Sequence, residues 1–433
     1  MLRFSFFLLL AGIGTGVFAQ SPFKNILLDD KGEGYNPCEP SIAINFSNPD
    51  NIVAGAILNR VYTSLDGGKT WQTQGLKSSY GVFGDPCVVS DYEGNIHYLH
   101  LSDPSQKGWS SPTILDRIVC QSSSDGGVTW NNGGFMGNFH PKDQDKEWAV
   151  ADPKSGRLYT TWTQFDKYDS PDTADKSNIY FAASKKQGAK WSKAVRINEA
   201  SGDCLDDDAT TEGAVPAAGP KGEVYVAWAL NEKIYFDRST DGGKTWMDKD
   251  IVAAEQKGGW SLDIPGINRC NGMPVTVCDL SQGPNRGTLY INWSDQRNGE
   301  TDTDVWNINS TDGGLTWSQP VRVNDDAPGR QQFLSWLTVD QTTGYLYCVF
   351  YDRRDYSDLR TDVYVAVSTD AGKTWKNVKI SEKAFTPQKQ TFFGDYTNIA
   401  AHAGRICPIW TRMDNQRTSV WTSVIRQEDL LGK

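Results

Sequence analysis

The chain has 433 residues, a formal net charge of −10, and an unusual load of 41 glycines, 16 tryptophans and 17 tyrosines. That acidity excludes a nucleic-acid partner, because binding a phosphate backbone needs a basic face. Beyond the N-terminus no stretch approaches the roughly 20 apolar residues of a membrane helix, and no long segment carries the 3.6-residue apolar period of an amphipathic helix.

Residues 1–19 read as a signal peptide. Arg3 supplies the basic start, residues 6–13 are apolar, and Val17-Phe18-Ala19 ends in the small-residue pattern that a signal peptidase accepts. Cleavage before Gln20 is expected, with a secreted or periplasmic product. No cysteine follows the apolar run, so no lipid anchor is expected. The eight cysteines are Cys38, Cys87, Cys120, Cys204, Cys270, Cys278, Cys348 and Cys407. In an exported chain they can form disulfides, but eight thiols allow about 105 full pairings and spacing selects none of them. None forms a CxxC pair, so structural disulfides or buried free thiols are expected rather than a zinc or redox site.

From residue 20 to 433 the chain reads as one domain organised by a repeat. The octapeptide S-L-D-G-G-K-T-W at 64–71 recurs at 123–130, 239–246 and 310–317, and with Ala371 in place of one Gly at 368–375. A degenerate copy at 184–191 keeps Ser184, Gly188 and Trp191. Its third position falls at 66, 125, 186, 241, 312 and 370, so the interval is 55 to 71 residues. Self-similarity on this scale marks a propeller or array. The chemistry of the octapeptide is that of a tight hairpin: Asp accepts local amides, Gly takes positive φ, and Trp fills the space between sheets.

The segments around each octapeptide alternate as strands do. Residues 223–228, 289–293 and 362–367 are apolar at every second position, and another strand follows each Trp, as at 320–324. That is one four-stranded blade per octapeptide. A further unit starts at Gly394 and has three strands but no octapeptide, at 399–401, 405–410 and 419–424. Its missing strand is expected at residues 25–29, where the N-terminus would close the ring and remove an open edge. The expectation is an all-β, seven-bladed propeller, with six blades as the alternative.

On the face opposite the octapeptides, the loops leading into each blade and those between its second and third strands gather the non-repeating chemistry. We single out His140, Asp145, Glu147, Asp395 and Tyr396 as candidate catalytic groups, and Asp85, Arg330, Arg353 and Arg412 as candidate substrate-binding groups. Paired carboxylates do acid–base work on glycosidic bonds, and Arg forks bind sugar carboxylates. A W-x-D-x-R theme recurs in Trp293-Ser-Asp295-Gln-Arg297 and in its counterparts at 351–354 and 410–414, and because Asp295, Arg297, Asp352 and Arg354 follow the repeat, those four read instead as structural ion pairing. The acidic runs at 203–208, 166–175 and 300–304 offer hard oxygens that suit calcium. They lack a calcium-loop pattern, and solvated acidic loops are the expected reading.

The S-x-D-x-G-x-T-W octapeptide resembles the Asp box, or BNR repeat, of the sialidase superfamily. The resemblance spans nearly all of residues 20–433 and implies a propeller that handles glycans. In sialidases three arginines bind the sugar carboxylate, a Tyr activated by Glu is the nucleophile, and an Asp is the acid/base catalyst. Carried over, the resemblance makes Arg330, with Arg353 or Arg412, part of an anion site and Tyr396 beside Asp395 a nucleophile with its partner. The family's first arginine sits in an R-I-P motif, where this chain has Cys38-Glu39-Pro40. The functional expectation is therefore an exported carbohydrate-active enzyme that cleaves glycosidic bonds, with exo-sialidase as the nearest family activity. The alternative is a non-catalytic propeller that binds a glycan or protein partner through the same face.

Overall fold

A computed structural model describes residues 22–31, 36–185 and 187–432. The signal-peptide reading at 1–19 and Lys186 in the degenerate octapeptide lie outside the described residues. Seven antiparallel sheets stand in a ring. Blade 1 runs from the inner strand Ser41–Ile44 to the outer strand Gln72–Gly75, blade 2 from Cys87–Ser90 to Gly134–Met136, and blade 3 from Asp143–Ala151 to Val195–Arg196. Blade 4 runs from Glu212–Ala218 to Ile251–Glu255, blade 5 from Val275–Cys278 to Val321–Arg322, and blade 6 from Gln332–Asp340 to Lys376–Lys379.

Blade 7 is closed by the N-terminus, as the strand pattern anticipates. Asn398–His402, Arg405–Asp414 and Arg417–Thr422 supply three strands. Ile26–Asp29 pairs antiparallel with the third, Ile26 opposite Thr422 and Leu27 opposite Trp421. Some elements have no counterpart in the repeat. A hairpin of Ser261–Leu262 and Cys270–Asn271 stands between blades 4 and 5, and a short helix, Gln427–Leu431, follows blade 7. No described helix is long and apolar enough to cross a membrane.

The octapeptides form hairpins on one face. In blade 1 the Asp66 carboxylate accepts Ser64 Oγ, the amides of Lys69 and Thr70, and Thr70 Oγ1. The Trp that ends each box packs against a neighbouring sheet: Trp246 of blade 4 meets Phe181 of blade 3 edge-on, with ring centroids 5.0 Å apart, and Trp317 meets Phe236 at 5.1 Å. The box glycine beneath is held to that identity by both backbone and space. Gly314 has φ +87, and a Cβ there would lie 2.1 Å from Phe236 Cε1. Gly314→Ala is expected to destabilise the protein by about 3 kcal/mol or more, combining a strained φ with overpacking. A urea melt monitored by tryptophan fluorescence checks this; a change below about 1 kcal/mol would refute the wedge argument.

All eight cysteines are buried and unbridged, so of the two readings it is buried free thiols that the fold contains. On the ring axis Trp148 of blade 3 and Trp336 of blade 6 meet with centroids 4.2 Å apart, and Tyr396 packs edge-on against Trp148 at 4.9 Å. This aromatic plug stands between the axial channel on the octapeptide side and the loops of the opposite face.

Candidate functional site

The inner strands begin with a shared irregularity. In blades 3, 4 and 6 the pairing slips between Asp145 and Trp148, between Glu212 and Val215, and between Phe333 and Trp336. Each slip is a bulge, with Lys146 (φ 53), Gly213 (φ 77) or Leu334 (φ 50) in the left-handed region. Blades 1 and 2 put Glu39 (φ 53) and Asp85 (φ 49) in the same conformation just before their inner strands. Glycine takes this conformation without strain, whereas Glu and Lys do so at a cost of order 1 kcal/mol each, and such strain gathers at functional sites. The bulges bring charged side chains to the mouth of the axis.

There they form a connected ionic cluster. Lys146 Nζ lies 2.8 Å from Asp395 Oδ2 and 3.3 Å from Asp85 Oδ2. Arg269, from the inserted hairpin, donates from Nε to Asp395 Oδ1 at 2.8 Å and through its terminal nitrogens to Asp395 and Asp206. Tyr168 donates its hydroxyl to Asp206 at 2.6 Å. Glu39 Oε1 accepts the amide of Asp395 at 3.1 Å, and Asn271 Nδ2 donates to the Asp395 carbonyl at 2.7 Å. Burial opposes charge on Asp395, but Arg269 and Lys146 outweigh it and hold the carboxyl well below the ordinary range. Burial likewise opposes charge on Lys146, yet Asp395, Asp85 and Asp145 push its pKa well above the ordinary value.

Above this cluster opens a cavity of about 320 Å³, lined by Glu39, Asp85, Asp145, Lys146, Tyr168 and Arg269, with Trp109 and Phe392 at its rim. Trp109 is 63% exposed and stacks on Tyr168 with centroids 5.6 Å apart. Phe392 is 38% exposed and lies under the Arg269 guanidinium. Asp145 is the distinctive acid. Desolvation pushes its pKa up to about 7; Lys146 opposes the rise, and Asp85 and Asp206 add to it. It is a carboxyl that exchanges its proton near neutrality on the wall of an open cavity, which is what a general acid requires.

Of the candidate residues, Asp85 and Asp145 line this cavity and Asp395 sits beneath it as the anchor of both cations. Tyr396 is buried in the plug with its hydroxyl unpartnered, and burial raises its pKa well above the ordinary value. No bond joins that hydroxyl to Asp395, whose carboxylate is taken up by Lys146 and Arg269. Glu147 is buried with neither carboxylate oxygen bonded. His140 is exposed on the loop between blades 2 and 3. The three arginines do not converge. Arg330 is exposed and donates to Gly329 O at 3.1 Å. Arg353 is buried against Phe333 and bonded to Thr361 and Gln331, while Arg412 is tied to Asp414 and to Lys383 O. The repeated theme is ion pairing: Arg297 and Arg354 hold the buried Asp295 and Asp352. The acid run at 203–208 is also engaged internally, with Asp206 on Arg269 and Tyr168, and Asp208 Oδ1 accepting the Ser261 amide at 2.7 Å.

Arg269, Tyr168 and Trp109 escaped the sequence reading. Each lies in an irregular loop with no periodic signal. For Arg269 one signal existed: the interval from 241 to 312 is the longest in the chain at 71 residues, and the inserted hairpin accounts for the excess.

Glu147 gives a stability test. Desolvation raises its pKa well above the ordinary value, with Asp85 and Asp145 adding to the effect, so the folded state holds a proton that the unfolded chain releases above about pH 4.3. The stabilisation is therefore complete below that pH and lost as pH rises. Glu147→Gln is expected to gain on the wild type by about 1.4 kcal/mol per pH unit above roughly pH 4.3 until the folded group itself ionises. Thermal melts of both proteins between pH 4 and pH 8 measure that slope; parallel curves would show that Glu147 is ionised in the fold.

Comparison with known proteins agrees with the architecture. The BNR/Asp-box repeat family model matches residues 62–73. A curated relative, xyloglucanase Xgh74A of Acetivibrio thermocellus, is 25% identical over 367 residues, covering 78% of this chain and 38% of the relative. The chain thus spans less than two-fifths of the length of the curated relatives it matches. Among solved structures, an ulvan lyase, a polysaccharide lyase in complex with a GlcA–Rha3S ligand, superposes with a TM-score of 0.54 at 12% identity, covering 94% of this chain and 99% of that one. A Hadza microbial sialidase superposes with a TM-score of 0.49 at 14% identity, over 88% of this chain and 74% of that one. The chain is a seven-bladed β-propeller, and the BNR/Asp-box repeat model matches the octapeptide hairpin of its first blade.

Proposed function

We propose that the protein is a carbohydrate-active enzyme that hydrolyses glycosidic bonds in the cavity above the ionic cluster, acting on a glycan outside the cytoplasm. The observation that carries this reading is Asp145, a carboxyl pushed up to about 7 by desolvation on the wall of a cavity shared with a second acid, Asp85. Asp145 protonates the departing glycosidic oxygen. Asp85, held by the Lys146 ammonium, is the second carboxylate that such a reaction needs, as base or nucleophile. The exposed faces of Trp109 and Phe392 offer sugar rings an apolar platform. Residues 1–19 support export, and the xyloglucanase relative supports a glycan substrate.

Classical sialidase action has less support. A sialic-acid clamp needs free guanidinium groups facing the site, and Arg330, Arg353 and Arg412 are dispersed. The arginine that does line the cavity, Arg269, is matched by Asp206 and Asp395. Incubating residues 20–433 with neutral, uronate-containing and sialylated glycans tests the reading. New reducing ends without unsaturated sugars are the expected products. Unsaturated ends would replace hydrolysis by elimination, and retention on an immobilised glycan without turnover would make the propeller a binding module.

A further inference from the structure

A second and larger cavity, about 760 Å³, opens beside the first. The two share Ile57, Leu58 and Phe83, and Phe83 meets Trp109 edge-on with centroids 5.7 Å apart. Both volumes lie in the range of small-molecule sites. The walls of the second cavity come from the loop between the second and third strands of blade 1, the 75–83 connection to blade 2, and residues 103–108 of blade 2. These are loops of the same face. A glycan seated in the acidic cavity therefore meets the second cavity across the Phe83–Trp109 wall.

The two cavities differ in charge. The first is lined by three acids and two cations, and both cations are paired with carboxylates. The second is lined by Arg60, Lys77 and Lys107 against one acid, Asp103. Asp103 is occupied by Ser105 Oγ at 3.0 Å and the Gly108 amide at 2.7 Å. Arg60 is paired with Asp29 at 3.3 Å. Lys77 and Lys107 are exposed, and among the described residues neither ammonium has a carboxylate within ion-pair distance. In a chain of net charge −10, a cavity of this composition is a local exception to the field of the whole molecule.

We infer that the second cavity is a subsite for an acidic sugar, carboxylated or sulfated, carried next to the unit bound in the acidic cavity, and that Lys77 and Lys107 recognise it. The inference rests on the proposed glycan reading for the identity of its ligand, but its test needs no turnover. The substrate class that follows is a polysaccharide bearing anionic groups beside an uncharged unit at the point of cleavage.

Calorimetric titration of residues 20–433 at low salt with equal-length oligosaccharides of dextran, dextran sulfate and polygalacturonate reads the preference directly. At least one anionic oligosaccharide is expected to bind about tenfold more tightly than dextran, and the advantage is expected to fade by 0.5 M salt. Tighter binding of the sulfated or the carboxylated probe identifies which acid is recognised. The double variant K77E/K107E is expected to lose the preference, while K244E/K373E, on the octapeptide face, keeps it. Equal affinity for all three probes, or an anionic preference that survives in K77E/K107E, would overturn the inference. If anionic binding follows Lys77 and Lys107 yet no glycan is cleaved, the subsite stands and the hydrolase reading falls.

Discussion

Asp145→Asn is expected to lower the rate of glycosidic cleavage by roughly two to four orders of magnitude, the usual contribution of a positioned general acid, with the fold unchanged. The substitution is close to isosteric. The amide of Lys146, which donates to Asp145 Oδ1 at 2.9 Å, keeps an acceptor in the Asn carbonyl, so the bulge that forms the cavity wall survives. The pH profile separates acid catalysis from mere binding. With its carboxyl pushed up to about 7 by burial, Asp145 carries its proton below that pH. The wild-type rate is expected to fall about tenfold per unit as pH rises beyond 7, and the residual Asn activity is expected to be flat there. Asp85→Asn refines the test on binding of the proton itself, because removing a carboxylate that raises the Asp145 pKa moves its titration to lower pH. NMR titration of the Asp145 carboxyl in both proteins measures this without substrate. A fully active Asp145→Asn enzyme would remove the acid role.

The ring was legible because its signals are local and repeated. An Asp that accepts backbone amides, two positive-φ positions and a wedge Trp leave an eight-residue signature in five of the seven blades, and even the degenerate copy at 184–191 keeps the Trp191 Nε1 bond to Gly188 O, 2.9 Å long. The closing strand Ile26–Asp29 was legible because an open propeller edge has to be paired. Symmetry also sorted the charged residues: those that follow the repeat, such as Asp295 and Arg297, form ion pairs within a blade. The site was legible only in part. Asp85 and Asp395 lie in loops that lead into inner strands, and Asp145 lies at the start of one, so topology alone brings them to the axis. Whether a side chain there faces the cavity or the sheets depends on a bulge of one residue. That is why Asp145 opens into the cavity while Glu147, two positions on, is buried without a partner. Arg330, Arg353 and Arg412 share a face without sharing a centre, since each is captured by its nearest oxygen.

Within the ionic cluster, Asp395→Asn carries the largest expected loss of stability. The Asp395 carboxylate is 2% exposed and is the one acid that both Lys146 and Arg269 contact. Neutralising it leaves Lys146, itself buried, with Asp85 alone. Breaking a buried pair by removing one partner typically costs about 3–5 kcal/mol, because the remaining charge stays desolvated. Here both cations keep a second carboxylate, which places the expected cost near the lower end, about 3 kcal/mol at pH 7. The sign with pH follows from linkage. The folded pKa of Asp395 is depressed below the unfolded value of about 3.9, so its stabilisation is fully present above that value and is lost as pH falls through the folded pKa. The gap between Asp395→Asn and wild type should therefore be constant from pH 5 to 7 and narrow below about pH 4, the opposite tilt to that of Glu147→Gln. Urea melts at pH 7, 5 and 3 decide it. A gap that widens towards low pH would mean that Asp395 is protonated in the fold, and Lys146 and Arg269 would then have to be held in place by Asp85 and Asp206 alone.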